Sequence, residues 1–209
     1  KAAVFVPVLV TSFAVSFYTV KGLRYLFGGD ATAILFWSDQ AMVLSYTIVL
    51  ILLADLSRYW LHRILHEVPL LWHFHKVHHS AEVLTPLTRY REHFVAVPIW
   101  AAGGAFSYGF AAGIFGYLFD GNIVTATLLN IGFFSLLFGF NGSFRHYHVQ
   151  FHYPVCLSKW LHSPVMHHVH HSYLEKHWDT NFAAITSIWD RIFGTLYIPE
   201  KDEYTPWGI

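Results

Sequence analysis

The chain has 209 residues, with thirteen Lys plus Arg against thirteen Asp plus Glu. A formal net charge of zero gives nothing that suggests nucleic acid. It is 55% hydrophobic and 19% aromatic but only 12% charged, about half the charge of an ordinary soluble domain, which points to lipid as its main surroundings. Cys156 is the one cysteine, which excludes internal disulfides and thiolate metal sites.

A helix needs roughly 20 mostly apolar residues to cross a bilayer. Four stretches approach this, at about residues 2–20, 38–60, 94–119 and 122–144. Pro7 lies in the first, and Ser38, Asp39 and Gln40 precede the apolar part of the second. Pro98 and several glycines interrupt the third, where Gly103, Gly104, Gly109, Gly113 and Gly116 serve helix packing or open a groove for a lipid. Asp120-Gly121-Asn122 is a turn signal between the third and fourth. The expected fold is an all-α integral membrane protein, with four transmembrane helices as two hairpins and a helical cap at 61–93 and 145–209, in a single domain over 1–209. The competing reading is a buried core in a soluble helical protein. The chain begins at Lys1 without Met, so its start says little about targeting.

An even number of crossings separates the two cap segments, so both emerge on one side. Ten of the thirteen Lys and Arg lie there, while Lys21 and Arg24 fall in the opposite loop. By the positive-inside rule that side is cytoplasmic, and a bacterial inner membrane is favoured over the endoplasmic reticulum.

Ten of the sixteen histidines fall into four clusters on these segments. They are His62-x-x-x-His66, His75-x-x-His78-His79, His148-x-x-x-His152 and His167-x-x-His170-His171. Residues three and four apart share a helix face, so each cluster aims two or three imidazoles at one point. Ten imidazoles exceed what one ion holds, so the pattern asks for two metals. His73, His93, His146, His162, His168 and His177 gain no ligand reading from spacing alone. A catalytic zinc needs only about three protein ligands, and the Glu-x-x-His signature of soluble di-iron bundles is missing. No histidine lies within a span, where haem ligands are usually found. Asp55, Glu67, Glu92, Asp179 and Asp190 are carboxylates near enough in sequence to orient ligand imidazoles. For Asp55 a pairing with Arg58 is an equal alternative, and Asp190 with Arg191 equally suits pinning the cap. Trp60, Trp72, Trp160, Trp178 and Trp189 suit an interfacial aromatic belt.

These residues carry a resemblance. The run Asp55-x-x-Arg58-Tyr59-Trp60-x-His62-x-x-x-His66, the run Trp72-His73-x-His75-Lys76-Val77-His78-His79-Ser80, and the tail Trp189-Asp190-Arg191-x-Phe193-Gly194-Thr195 are similar to the fatty acid hydroxylase / sterol desaturase superfamily, over about residues 41–199. The stretch from His75 to His93 looks most like bacterial sterol desaturase-like members. The resemblance implies a non-haem di-iron centre held by His62, His66, His75, His78, His79, His148, His152, His167, His170 and His171. It implies hydroxylation or desaturation of a lipid C–H bond using O2, with electrons from a separate donor such as a cytochrome b5-like protein or a ferredoxin and its reductase. Many bacterial relatives carry a His-x-His pair like His146-x-His148 and lack a match to His152. Either His146 or His152 is then the odd one out, and the ligand count runs from nine to eleven. A non-catalytic membrane subunit that keeps the di-metal fold is the rival function. A metal transporter is weaker, because transport ligands belong inside the spans.

Overall fold

The computed structural model describes residues 2–28, 39–119, 123–203 and 205–209. The expected turn at Asp120-Gly121-Asn122, and Ser38 at the expected start of the second span, lie outside them. The described residues are helical, with no strand beyond two isolated bridges. Four long helices come from the apolar stretches: α1 Ala2–Phe27, α2 Asp39–Glu67, α4 Ala96–Leu118 and α5 Ile123–Arg145. Between and after them come α3 Pro69–His79, α6 Val155–Ser158, α7 Pro164–His170 and α8 Ile188–Ile192. Among the described residues, three stretches are long and apolar enough to cross a membrane: Val6–Phe27, Gln40–Glu67 and Ala96–Leu118. The fourth expected span, α5, is a helix of 23 residues but is not one of these three.

Pro7 lies inside α1 and does not end it. Helix α2, at 29 residues, is about 43 Å long at 1.5 Å per residue, more than the roughly 30 Å a hydrocarbon core requires. The excess length carries His62 and His66. Pro69 stops α2, since it has no N–H to continue the ladder, and it starts α3 at its first position.

The chain divides into two compact units. The first takes Lys1–Ser57 and Trp100–Ser135, the second Arg58–Ile99 and Leu136–Ile209. In the first unit, α4 approaches α1 at two glycines. A Cβ on Gly109 would lie 2.4 Å from the Ser12 carbonyl oxygen, and one on Gly113 would lie 2.5 Å from Thr19 Cβ. So these two glycines serve close helix packing. Ser107 Oγ donates to the Leu53 carbonyl at 3.3 Å, and Thr47 Oγ1 donates to Asn130 Oδ1 at 2.8 Å. Such pairs satisfy polar groups among apolar helices.

In the second unit, the buried residues Tyr59, Phe182 and Ala183 form a core against which Trp189 and Phe193 pack. Asp190 organises it. Its carboxylate accepts from the backbone N–H of Phe182 at 2.7 Å and of Ala183 at 3.0 Å, and from Thr195 Oγ1 at 2.8 Å. Between the two roles left open for Asp190, these bonds are those of a pin on the 182–183 backbone.

Gly109→Ala should lower stability by about 1–3 kcal/mol, because backbone rather than a flexible side chain meets the added methyl. Gly104→Ala, on the same helix with open space at its Cβ, should not. Thermal midpoints in detergent check this; equal midpoints for the two variants would contradict the close α1–α4 approach.

Candidate metal centre

The second unit gathers nine histidines into two groups. His62, His66, His75, His79 and His170 form the first, and His78, His146, His167 and His171 the second. Within each group one ring nitrogen per residue lies within 4.8 Å of all the others. Helix spacing explains the division. On α3, His75 and His79 are four apart and turn to the first group, while His78 turns to the second. On α7 and its C-terminal edge the assignment is reversed. His167 and His171 share the second group, and His170 goes to the first. Helix α2 adds His62 and His66, again four apart, to the first.

The two remaining expected ligands are not brought in. His148 and His152 are exposed and stand outside both groups, and His146 is buried in the second group instead. The reason is local. Helix α5 ends at Arg145, and residues 146–154 form a turn, bends and irregular chain. An i, i+4 spacing points two side chains one way only on a helix. His146 still follows the last turn of α5, and its Nδ1 donates to the Gly142 carbonyl at 2.8 Å.

The donor set fits metal. His62 Nε2 and His75 Nε2 are 3.1 Å apart. In the second group, His146 Nε2 lies 3.2 Å from His78 Nε2 and 3.3 Å from His167 Nε2, and His171 Nε2 lies 3.1 Å from His167 Nε2. Metal–imidazole bonds of about 2.1 Å put neighbouring ligand nitrogens about 3.0–3.4 Å apart in octahedral or tetrahedral geometry. Backbone carbonyls fix the tautomers. A carbonyl only accepts, so Nδ1 is the protonated nitrogen where it bonds one. His62 Nδ1 donates to Phe182 O at 2.8 Å and His170 Nδ1 to Thr180 O at 2.8 Å. Their Nε2 lone pairs are thereby presented to the centre, the outer-partner arrangement usual for metal-binding histidine. The buried Nε2 atoms of His66, His79 and His170 have no hydrogen-bond partner among the described residues. Unpaired buried polar atoms are costly, and a cation among them removes that cost.

Two of the candidate carboxylates, Asp179 and Glu92, face these rings. Asp179 Oδ1 lies 3.7 Å from His66 Nδ1, and Glu92 Oε1 lies 3.5 Å from His78 Nδ1. Glu67 pairs instead with Arg63 at 2.7 Å, and Asp190 lies 4.0 Å from His162 Nδ1. His162, His168 and His177 are buried outside both groups; His177 Nε2 donates to Glu203 at 3.0 Å. The carbonyls of Thr180 and Phe182 have no sequence signature, because any residue supplies one.

Burial pushes the cap imidazoles toward the neutral form that binds metal. His78 falls to about 3 and His170 to about 4, both mainly by desolvation and then by neighbouring cationic groups. His75, His79, His167 and His171 are lowered too, first by burial and next by nearby histidines or Arg145.

A cavity of about 660 Å³ opens on the first group. His66, His79 and His170 line it together with Trp72, Trp178 and Asp179.

The sequence model described as "Fatty acid hydroxylase" matches residues 47–195, a span that contains all nine clustered histidines and Asp190. The chain belongs to the fatty acid hydroxylase family. Among curated proteins, it is similar to alkylglycerol monooxygenase of Xenopus tropicalis, 29% identical over 151 residues that cover 71% of this chain and 30% of that protein. It is 30% identical to an ornithine lipid hydroxylase of Rhizobium tropici over 176 residues, 83% of this chain and 48% of that protein. A Delta(7)-sterol 5(6)-desaturase of Leptosphaeria maculans is 25% identical over 153 residues, 71% of this chain and 36% of that protein. The chain thus spans a third to a half of the length of these relatives. No solved structure matches.

Two outcomes follow. His146→Ala should remove at least half of the bound metal, while His148→Ala and His152→Ala keep it, measured as metal per chain by mass spectrometry. Metal retained in His146→Ala and lost in His148→Ala would reverse the assignment. In metal-free protein, the lowered histidines contribute stability that is present above their unfolded pKa of about 6.5. That stability is lost as pH falls toward the folded values of about 4 and about 3. Acid titration followed by circular dichroism should show unfolding begin below about pH 6; a flat response down to pH 4 would contradict the buried, neutral cluster.

Proposed function

We propose that this chain is a membrane-bound lipid oxygenase that uses O2 at a two-iron centre to oxidise an unactivated C–H bond, with electrons supplied by a separate donor protein. The observation that carries this reading is the pair of adjacent imidazole groups, five and four donors, inside a fatty acid hydroxylase domain. Four donors already fill a zinc site. Five and four neutral imidazoles side by side, with no carboxylate in either group among the described residues, suit two irons that stay electrophilic. When bound, the irons would activate O2 for attack on carbon.

The chain's own residues do the positioning. Thr180 O and Phe182 O hold His170 and His62 in the tautomer that presents Nε2. Glu92 and Asp179 place negative charge behind His78 and His66, which raises ligand basicity. Burial of the second group's rings limits water there, so that oxidising power is directed at substrate rather than leaked.

In this reading α5 is the fourth span and both histidine segments face the cytoplasm. Its length of 23 residues and the ten Lys and Arg on the histidine side support that. Two relatives named as a monooxygenase and a hydroxylase, at 29% and 30% identity, put hydroxylation ahead of desaturation. Their names also place alkylglycerols and ornithine lipids among the first substrates to try.

Purified protein should hold two irons per chain, and lipid extracts from expressing cells should gain species heavier by one oxygen. Loss of two hydrogens instead would assign desaturation. His78→Ala and His170→Ala should each abolish both iron and product. Full turnover in either variant, or a single zinc in the native protein, would overturn the di-iron reading and favour a non-catalytic subunit that keeps the fold.

A further inference from the structure

The cavity on the first histidine group has a chemistry of its own. Its volume of about 660 Å³ falls within the range of small-molecule sites. Its floor is His66, His79 and His170, and Trp72 lies directly on that floor, with ring centroids 5.0 Å from His66 and 5.4 Å from His79. Tyr173, Trp178 and the segment ending in Gly208 and Ile209 also line the cavity. These walls are fixed to one another. Trp178 Nε1 donates to the Tyr173 carbonyl at 3.1 Å, the Tyr173 N–H donates to the Pro206 carbonyl at 3.3 Å, and Ser172 bridges to Trp207.

One acid stands in this aromatic setting. Asp179 lines the cavity, and no Lys or Arg does so among the described residues. Its side chain is 60% exposed, so the carboxylate is open at the cavity. Its backbone is held at φ 53°, and that of Asn181 at φ 58°. This left-handed conformation is strained for most residues and tolerated by Asp and Asn. The strain is held by the Asn181 side chain, whose Nδ2 donates to the Met166 and Tyr197 carbonyls at 3.0 and 2.8 Å. A short strained turn therefore sets one carboxylate at the edge of an apolar cavity. A single imidazole ring, that of His66, separates it from a metal-facing nitrogen.

We infer that this cavity seats the polar end of the lipid, with Asp179 accepting a hydrogen bond from a hydroxyl or ammonium group a few bonds from the oxidised carbon. The inference rests on the oxygenase reading for what happens at the floor, but the binding site itself does not. Aromatic faces take the adjoining methylenes and, for an ammonium, add cation–π attraction. The carboxylate attracts an ammonium or hydroxyl end and offers a plain hydrocarbon end nothing, which makes Asp179 a specificity-determining residue.

Binding, not turnover, tests it. Iron-loaded protein in detergent, kept free of O2, is titrated with hexadecylammonium, 1-O-hexadecylglycerol and hexadecyl methyl ether, and tryptophan fluorescence is followed. At least one donor-bearing probe should bind about tenfold more tightly than the ether, and the tighter of the two identifies the group. Asp179→Asn keeps a residue that tolerates the left-handed backbone. Compared at equal iron loading, it should weaken hexadecylammonium about tenfold through lost charge and 1-O-hexadecylglycerol less, since an amide oxygen still accepts, while the ether's affinity stays unchanged. Trp178→Ala should weaken all three probes. Equal affinity for the three probes, or unchanged affinities in Asp179→Asn at equal iron loading, would each overturn the subsite. The donor preference with its dependence on Asp179 supports the subsite even in protein that turns nothing over, so its failure and that of the oxygenase reading are read separately.

Discussion

The Asp190 carboxylate is buried and holds the loop that carries Thr180 and Phe182 beside the candidate metal centre. It draws in the N–H groups of Phe182 and Ala183 and the hydroxyl of Thr195. Three charge-assisted hydrogen bonds on one buried acid fix a backbone far more tightly than neutral turns do. That matters because the same loop presents two carbonyls to the centre. Phe182 O orders His62 and Thr180 O orders His170, and these histidines come from helices α2 and α7. Without the clamp, a loop strained at Asp179 and Asn181 would have no reason to hold both carbonyls in place. The tautomer of each ring, and hence the direction of its lone pair, would then be unset.

On this frame a simple helical rule distributes the ligands. In a His-x-x-His-His run the first and last residues are four apart and share a face, while the middle one turns aside. Applied to α3 and α7, the rule gives each group a pair from one helix and a single histidine from the other. The two groups therefore interlock: His79 and His171, in different groups, stack with ring centroids 4.4 Å apart. Helix α2 completes the first group with another i, i+4 pair. The second group has no matching helix and takes His146 from the end of α5. The two halves of the chain thus resemble one another in the runs but not in the fourth contribution.

The long apolar stretches, their approximate bounds and the histidine runs were legible because each depends on local periodicity or length. The bounds near 94–119 and 122–144 agree closely with α4 and α5. Where the reading and the structure part is at His148 and His152. There the spacing is that of a helix face, but the chain between Arg145 and Val155 is not helical, so the spacing carries no directional meaning. Trp72 and Trp178, which composition suits to an interfacial belt, also line the cavity at the first histidine group, a placement that only the tertiary structure gives.

Sequence alone determined the element types, the chemistry of the donors and the family, since residue identity and short-range spacing encode all of these. Only the tertiary structure decided which histidine joins which group, that His146 enters while His148 and His152 stay outside, and that backbone carbonyls at Thr180 and Phe182 orient the ligands. Those choices depend on where helices end and on which peptide oxygens approach across more than a hundred residues, as Phe182 does to His62. Backbone oxygens are the same in every residue, so no pattern of side chains announces them.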